Sequence, residues 1–109
     1  MISVTVHRDE EGNISSFCVD GHSGYADPGE DIVCAAVSAL SQTAVLGLET
    51  VLGLKPDVKK RDGYLAVAVD QPKCCRVLLE AMVLGLKDVA GTYPRHVKVL
   101  DEGPPKDRG

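Results

Sequence analysis

The chain has 109 residues, of which 44% are hydrophobic and 26% charged, with a formal net charge of -4. That length suits one compact domain and is too short for two, and the apolar content argues against disorder. Scattered Lys and Arg under a negative net charge argue against a nucleic-acid-binding face, and 4% aromatic residues leave few platforms for stacking bases.

Ile2, Val4 and Val6 alternate with Ser3, Thr5 and His7, the period of a strand with one buried face. Turn chemistry at Glu10-Glu11-Gly12-Asn13 and a second alternating run from Ile14 predict a β-hairpin over residues 2–21, with His22 just past its end. From Ile32 the apolar residues Val33, Val37, Leu40, Ala44, Leu48 and Val51 recur at helical steps, predicting a helix to about Leu54 that Lys55-Pro56 stops. Residues 57–61 and 64–70 flank Asp62-Gly63, a dipeptide that favours a type I′ turn, so a second hairpin follows. Pro72 suits the first turn of a second helix with the stripe Cys75, Leu78, Met82, Leu86 and Val89, ended by Gly91 and Pro94. His96 to Leu100 reads as a last strand. The expected order is β-β-α-β-β-α-β, an α+β two-layer fold with two helices packed on one sheet. Residues 1–102 read as a single domain, and 103–109 as a disordered polar tail.

The tetrapeptide VLGL occurs at 45–48, 51–54 and 83–86, a repeat that helical composition produces easily. Gly47 and Gly85 within it are expected to allow close packing between helices or across a dimer interface. No uninterrupted apolar run approaches the ~20 residues of a membrane span, and no basic-then-apolar leader is visible, so a cytoplasmic protein with no membrane partner is expected. Four cysteines, Cys18, Cys34, Cys74 and Cys75, form no C-x-x-C, and no metal or cofactor is implied. Cys18, Cys74 and Cys75 read as small, half-buried apolar side chains, and His7 and His96 as ordinary residues on exposed strand faces.

Cys34 differs in its setting. It opens the first helix, and a loop rich in Gly, Pro and Asp separates it from His22. A thiol at a helix start, beside an imidazole, is how proteins form a thiolate at neutral pH. Two helix starts are open. Asp27-Pro28-Gly29-Glu30 resembles a cap followed by proline, whereas Asp31 as cap puts Ile32, Val33 and Cys34 in the first turn, where the apolar stripe begins; the second is preferred. Asp31 would then cap the helix and also orient His22 or favour its charged form, and Ser38, one turn beyond Cys34, would donate to the thiolate or substrate or else bond its own helix. The plain alternative is a cysteine packed among Ala and Val.

Gly21-His22, a short glycine-containing loop, Gly29, Asp31-Ile32-Val33-Cys34-Ala35 and Ser38 together resemble the ribosomal-processing cysteine proteases called Prp, and the likeness in length and element order spans nearly the whole chain. The resemblance implies a homodimeric cysteine endopeptidase that removes a short N-terminal extension from a large-subunit ribosomal protein. It makes Cys34 the nucleophile, His22 the general base and acid, and Asp31 and Ser38 supporting positions. It also implies a mobile loop at 24–30 that admits substrate and whose glycines serve as hinges, with Gly21, Gly24 and Gly29 as the substrate-loop positions. The helix-start amides near Cys34 are expected to stabilise the oxyanion. Residues Ser23 to Ala26 follow no fixed family pattern, and Ala36 stands where glycine is common. The acidic balance suits a basic substrate peptide. Two rival functions remain: a non-catalytic ribosome-associated binding module in which Cys34 is a buried structural residue, and a small thiol-redox protein.

Overall fold

The computed structural model describes residues 1–26 and 31–102. Strands β1 (Ile2–Arg8) and β2 (Ile14–Asp20) form the first hairpin, followed by helix α1 (Ile32–Leu46) and a widened π turn over Gly47–Val51. Strands β3 (Asp57–Arg61) and β4 (Tyr64–Ala68) form the second hairpin; a 3-10 turn (Pro72–Cys75) leads into α2 (Arg76–Thr92), and β5 (Val97–Asp101) closes the order. The predicted β-β-α-β-β-α-β arrangement is the one observed. The expected tail at 103–109 and the residues 27–30 lie outside the described residues.

The five strands lie in the order β3-β4-β2-β1-β5. All neighbours are antiparallel except β1 and β5, which pair in parallel from Ile2 opposite Val97 to Val6 opposite Asp101. Period-two alternation decides which face is covered: Ile2, Val4, Val6, Phe17, Leu65, Val67 and Val97 are buried in one core with Val33, Val37, Leu79 and Leu86 from the helices. The helices run antiparallel, with Leu40 against Gly85 and Leu78 against Gly47. A Cβ on Gly47 would stand 2.8 Å from Leu78 Cδ2, so close packing between the two helices is one use of these glycines.

Three local expectations are revised. The first helix ends at Val51 rather than Leu54, because Gly53 (φ 66) turns the chain back so that Leu54 N–H donates to Leu48 O (2.9 Å) before Pro56 is reached. The Asp62-Gly63 turn is not type I′, which needs positive φ at both central residues; here only Gly63 has it (φ 70). Gly91 lies inside α2, which continues through Thr92. In addition, residues Ile32–Val51 form a 20-residue helical run long and apolar enough by composition to cross a bilayer, although Ser38, Ser41, Gln42, Thr43, Glu49 and Thr50 interrupt it. Val33, Val37, Ala44 and Leu48 of that run are buried in the shared core.

Candidate active site

Asp31 (φ -85, ψ 98) is the N-cap of α1, and its Oδ1 accepts from the amides of Val33 (3.0 Å) and Cys34 (2.9 Å). Its other oxygen accepts from the hydroxyl of Ser23. Burial pushes this carboxyl up, but the hydrogen bonds from Ser23, Cys34 and Val33 outweigh it and hold Asp31 well below the usual carboxylate range. The cap therefore stays ionised at neutral pH. Because Asp31 also takes the Ala35 amide on its carbonyl (3.1 Å), the amides of Val33, Cys34 and Ala35 are already engaged. They are not the free oxyanion donors expected of them.

Cys34 is half-buried on the first turn of α1, and its Sγ accepts from the main-chain N–H of Ser23 at 3.4 Å. His22 follows the end of β2. Its ring lies against Gly63, where an added Cβ would come within 2.7 Å of Nε2, and Nε2 is 3.8 Å from the Asp62 carboxylate. Both partners of that contact are well exposed, so it contributes little energy and serves mainly to place a negative charge near the ring. Asp62, read from sequence only as a turn residue, is thus the carboxylate beside His22; both Asp31 oxygens are occupied elsewhere. No hydrogen bond joins His22 to Cys34 among the described residues. Catalytic hydrogen bonds are often long in a substrate-free site and tighten on binding.

A groove of about 710 Å³ connects these groups. Cys34, Ser38 and Gln42 of α1 form one wall, Lys60, Arg61 and Asp62 of the β3–β4 hairpin the other, with His22 and Gly24 at one end and Ile2, Val37 and Leu65 below. Lys60 Nζ reaches across to Gln42 Oε1 (3.1 Å), and Arg61 lies over the Tyr64 ring at 4.0 Å. Two cations, Lys60 and Arg61, and two carboxylates, Asp31 and Asp62, thus line the groove, so the net acidity of the chain is not concentrated where a basic peptide would lie. Ser38 is exposed there, and its hydroxyl makes no hydrogen bond among the described residues.

The loop positions divide. Gly21 (φ 106) is pinned: its N–H donates to Gly63 O (2.8 Å), and the Met1 carbonyl lies where a Cβ would be. It ties the β2 end to the β3–β4 turn, at the foot of the expected substrate loop. Gly24 (φ 70) has open space around it, while Gly29 lies outside the described residues.

Two residues that sequence reasoning passed over sit at the centre. Ser23 is 2% exposed and touches Cys34 and Asp31 at once. His96 is not on an exposed strand face; it is half-buried just before β5, with Nδ1 2.9 Å from Ser23 O and its ring edge-on to Tyr25. Of the remaining cysteines, Cys18 is as expected and the other two differ. Cys74 is exposed, Cys18 half-buried, and Cys75 is packed in the core, where burial pushes its thiol up, with the neighbouring Cys74 adding to the rise.

A half-buried thiol on the first turn of a capped helix, in a groove shared with an imidazole, on a two-layer α+β scaffold, defines a cysteine-nucleophile hydrolase type of site. Comparison with known proteins sharpens that class. The model of the cysteine protease Prp family matches residues 1–98, and the chain belongs to this family. It is 28% identical over 107 residues to the ribosomal processing cysteine protease Prp of Bacillus subtilis, covering 91% of this chain and 96% of that one. It is also 28% identical over 106 residues to the Prp of Staphylococcus aureus, covering 91% and 97%. Among solved structures, the S. aureus Prp with a covalently linked product peptide superposes with a TM-score of 0.89 at 24% identity, covering 94% of this chain and all of that one. The Streptococcus mutans protein SMU.848 superposes at 0.77 with 31% identity, covering 93% of each chain.

Proposed function

We propose that this chain is a ribosomal-processing endopeptidase that removes the N-terminal extension of a large-subunit ribosomal protein. Cys34 Sγ attacks the scissile carbonyl and forms an acyl-enzyme, while His22 takes up the thiol proton and delivers it to the departing amine. Asp31 keeps the helix start rigid under the nucleophile, and Ser38 faces the bound peptide. The observation that carries this reading is that Cys34, His22 and Ser38 all line one groove in a member of the Prp family.

The rival in which Cys34 is a structural core residue fits Cys75, which is fully buried, better than Cys34, which faces the groove. A thiol-redox role draws no support from the site: Cys34 Sγ contacts a main-chain amide, and Cys75 is packed in the core. Free thiols also suit a reducing cytoplasm, and the net charge of -4 gives no reason for direct nucleic-acid contact. A homodimer is supported by the exposed apolar residues Val77 (85%) and Leu84 (67%), two turns apart on α2, with Leu46 and Val51 exposed at the end of the other helix.

Mass spectrometry of the extended ribosomal protein after incubation tests the reading. Wild type is expected to release the N-terminal peptide, and Cys34→Ala and His22→Ala to lose at least a thousandfold in rate while keeping the wild-type circular dichroism spectrum. Undiminished cleavage by either variant would refute it.

A further inference from the structure

The amides expected to stabilise charge at the helix start are committed to Asp31, which leaves the question of what faces the sulfur. Among the described residues the hydrogen-bond donor on Cys34 Sγ is the main-chain N–H of Ser23, at 3.4 Å. Ser23 is held unusually firmly for a loop residue. Its hydroxyl donates to Asp31 and accepts from Tyr25 N–H (3.0 Å), and its carbonyl accepts from His96 Nδ1 (2.9 Å). A carbonyl only accepts, so Nδ1 of His96 carries the proton in this contact whether Nε2 is protonated or not. His96 is anchored in turn: its amide donates to Tyr93 O (2.9 Å), its carbonyl accepts from Ile2 N–H (2.8 Å), and its ring meets the edge of Tyr25 at 5.3 Å.

We propose that the Ser23 N–H is a catalytic group that stabilises negative charge first on Cys34 Sγ and then on the oxygen of the attacked carbonyl, and that His96 is the positioning residue that aims it. The proposal rests on Cys34 being the nucleophile. In the step concerned, the sulfur lone pair forms the C–S bond as the carbonyl π pair moves onto oxygen. That pair then re-forms the C=O bond as the C–N bond breaks, and the amine leaves with a proton from His22. The Ser23 N–H keeps its own proton throughout and shifts its hydrogen bond from sulfur to oxygen. Such a donor is effective because it is fixed before the reaction begins. Its sequence neighbours alone would not fix it, since Gly24 follows with open space around it.

Two substitutions separate aim from packing. His96→Phe keeps a ring beside Tyr25 but has no donor; His96→Asn loses the ring but presents an N–H near the Nδ1 position. With a peptide spanning the cleaved bond, His96→Phe is expected to lower kcat about tenfold or more with KM within about twofold, and His96→Asn to recover most of kcat. Independently of cleavage, alkylation of Cys34 by iodoacetamide, followed on the Cys34 peptide by mass, is expected to slow at least about threefold in His96→Phe and recover in His96→Asn. Wild-type kcat and alkylation in His96→Phe, or His96→Asn no faster than His96→Phe, would overturn the proposal. Should His96→Phe not fold, Tyr25→Ala removes the ring that seats His96, and alkylation as fast as wild type in that variant overturns it equally. If no form of the protein cleaves peptide yet alkylation follows the expected order, the protease reading fails and the positioning of Cys34 stands.

Discussion

The two ends of strand β1 are built on opposite plans. At its far end Arg8, 13% exposed at the side chain, donates Nε and Nη2 to Asp101 (2.9 Å each), both terminal nitrogens to Glu80, and Nη1 to Gly12 O (2.8 Å). Those bonds, with Asp101 first, raise its pKa further above its already high value. One guanidinium thus fastens β1, β5, α2 and the first turn together in the planar, multidentate geometry that suits arginine. At the near end, by contrast, the chain leaves a groove open, exposes His22, and places a thiol against a single main-chain donor. Ionic ties through one guanidinium close the far end, whereas the groove end is built from an exposed imidazole and a network of neutral main-chain and side-chain contacts around Ser23.

The comparison can be broken at either end. The largest stability effect is expected from Arg8→Leu, which takes the guanidinium from Glu80 and from Asp101, the latter still paired with Lys87 (3.2 Å), and lowers stability by about 2 kcal/mol in urea denaturation. Its alkylation rate at Cys34 is expected to match wild type; a changed rate would mean the two ends are coupled. A smaller effect is expected from Gly63→Ala, at about 1 kcal/mol, because φ 70 strains an added side chain. Since the new Cβ also lands on His22 Nε2, peptide cleavage is expected to fall well beyond what that loss of stability explains, and equal losses would remove Gly63 as a support for the imidazole. The smallest effect is a pH dependence. Asp31 is held below its ordinary value of 3.8, so its charge adds stability that is complete above that value and is lost as pH falls through the lower folded-state value. The melting temperature of Asp31→Asn is therefore expected to lie below wild type at pH 7, with the gap narrowing below about pH 4. A gap constant to pH 2 would mean the charge is not what the cap uses.

What the sequence made legible was local. Alternation placed the strands, helical steps placed α1 and α2, and the Asp31-x-x-Cys34 spacing located the cap and the thiol because cap and amides lie within one turn. What it hid depends on distant partners. Ser23 and His96 meet across 73 positions, and Arg8 meets Glu80 and Asp101 across 72 and 93. No local period encodes such pairings. The same holds for His22, whose neighbours Asp62 and Gly63 come from another hairpin, and for the Asp-Gly turn, which takes a different form with the imidazole packed against its glycine.

The parallel pairing of β1 with β5 also orders events during synthesis. Cys34 and His22 leave the ribosome early, but β1 gains its second neighbour only after residues 97–101 have emerged, and His96 arrives with them. A pairing between strands so far apart in sequence closes late and slowly. The nascent chain thus carries Cys34 well before it carries His96, so the contact of His96 with Ser23 beside that thiol is completed only when the last strand docks.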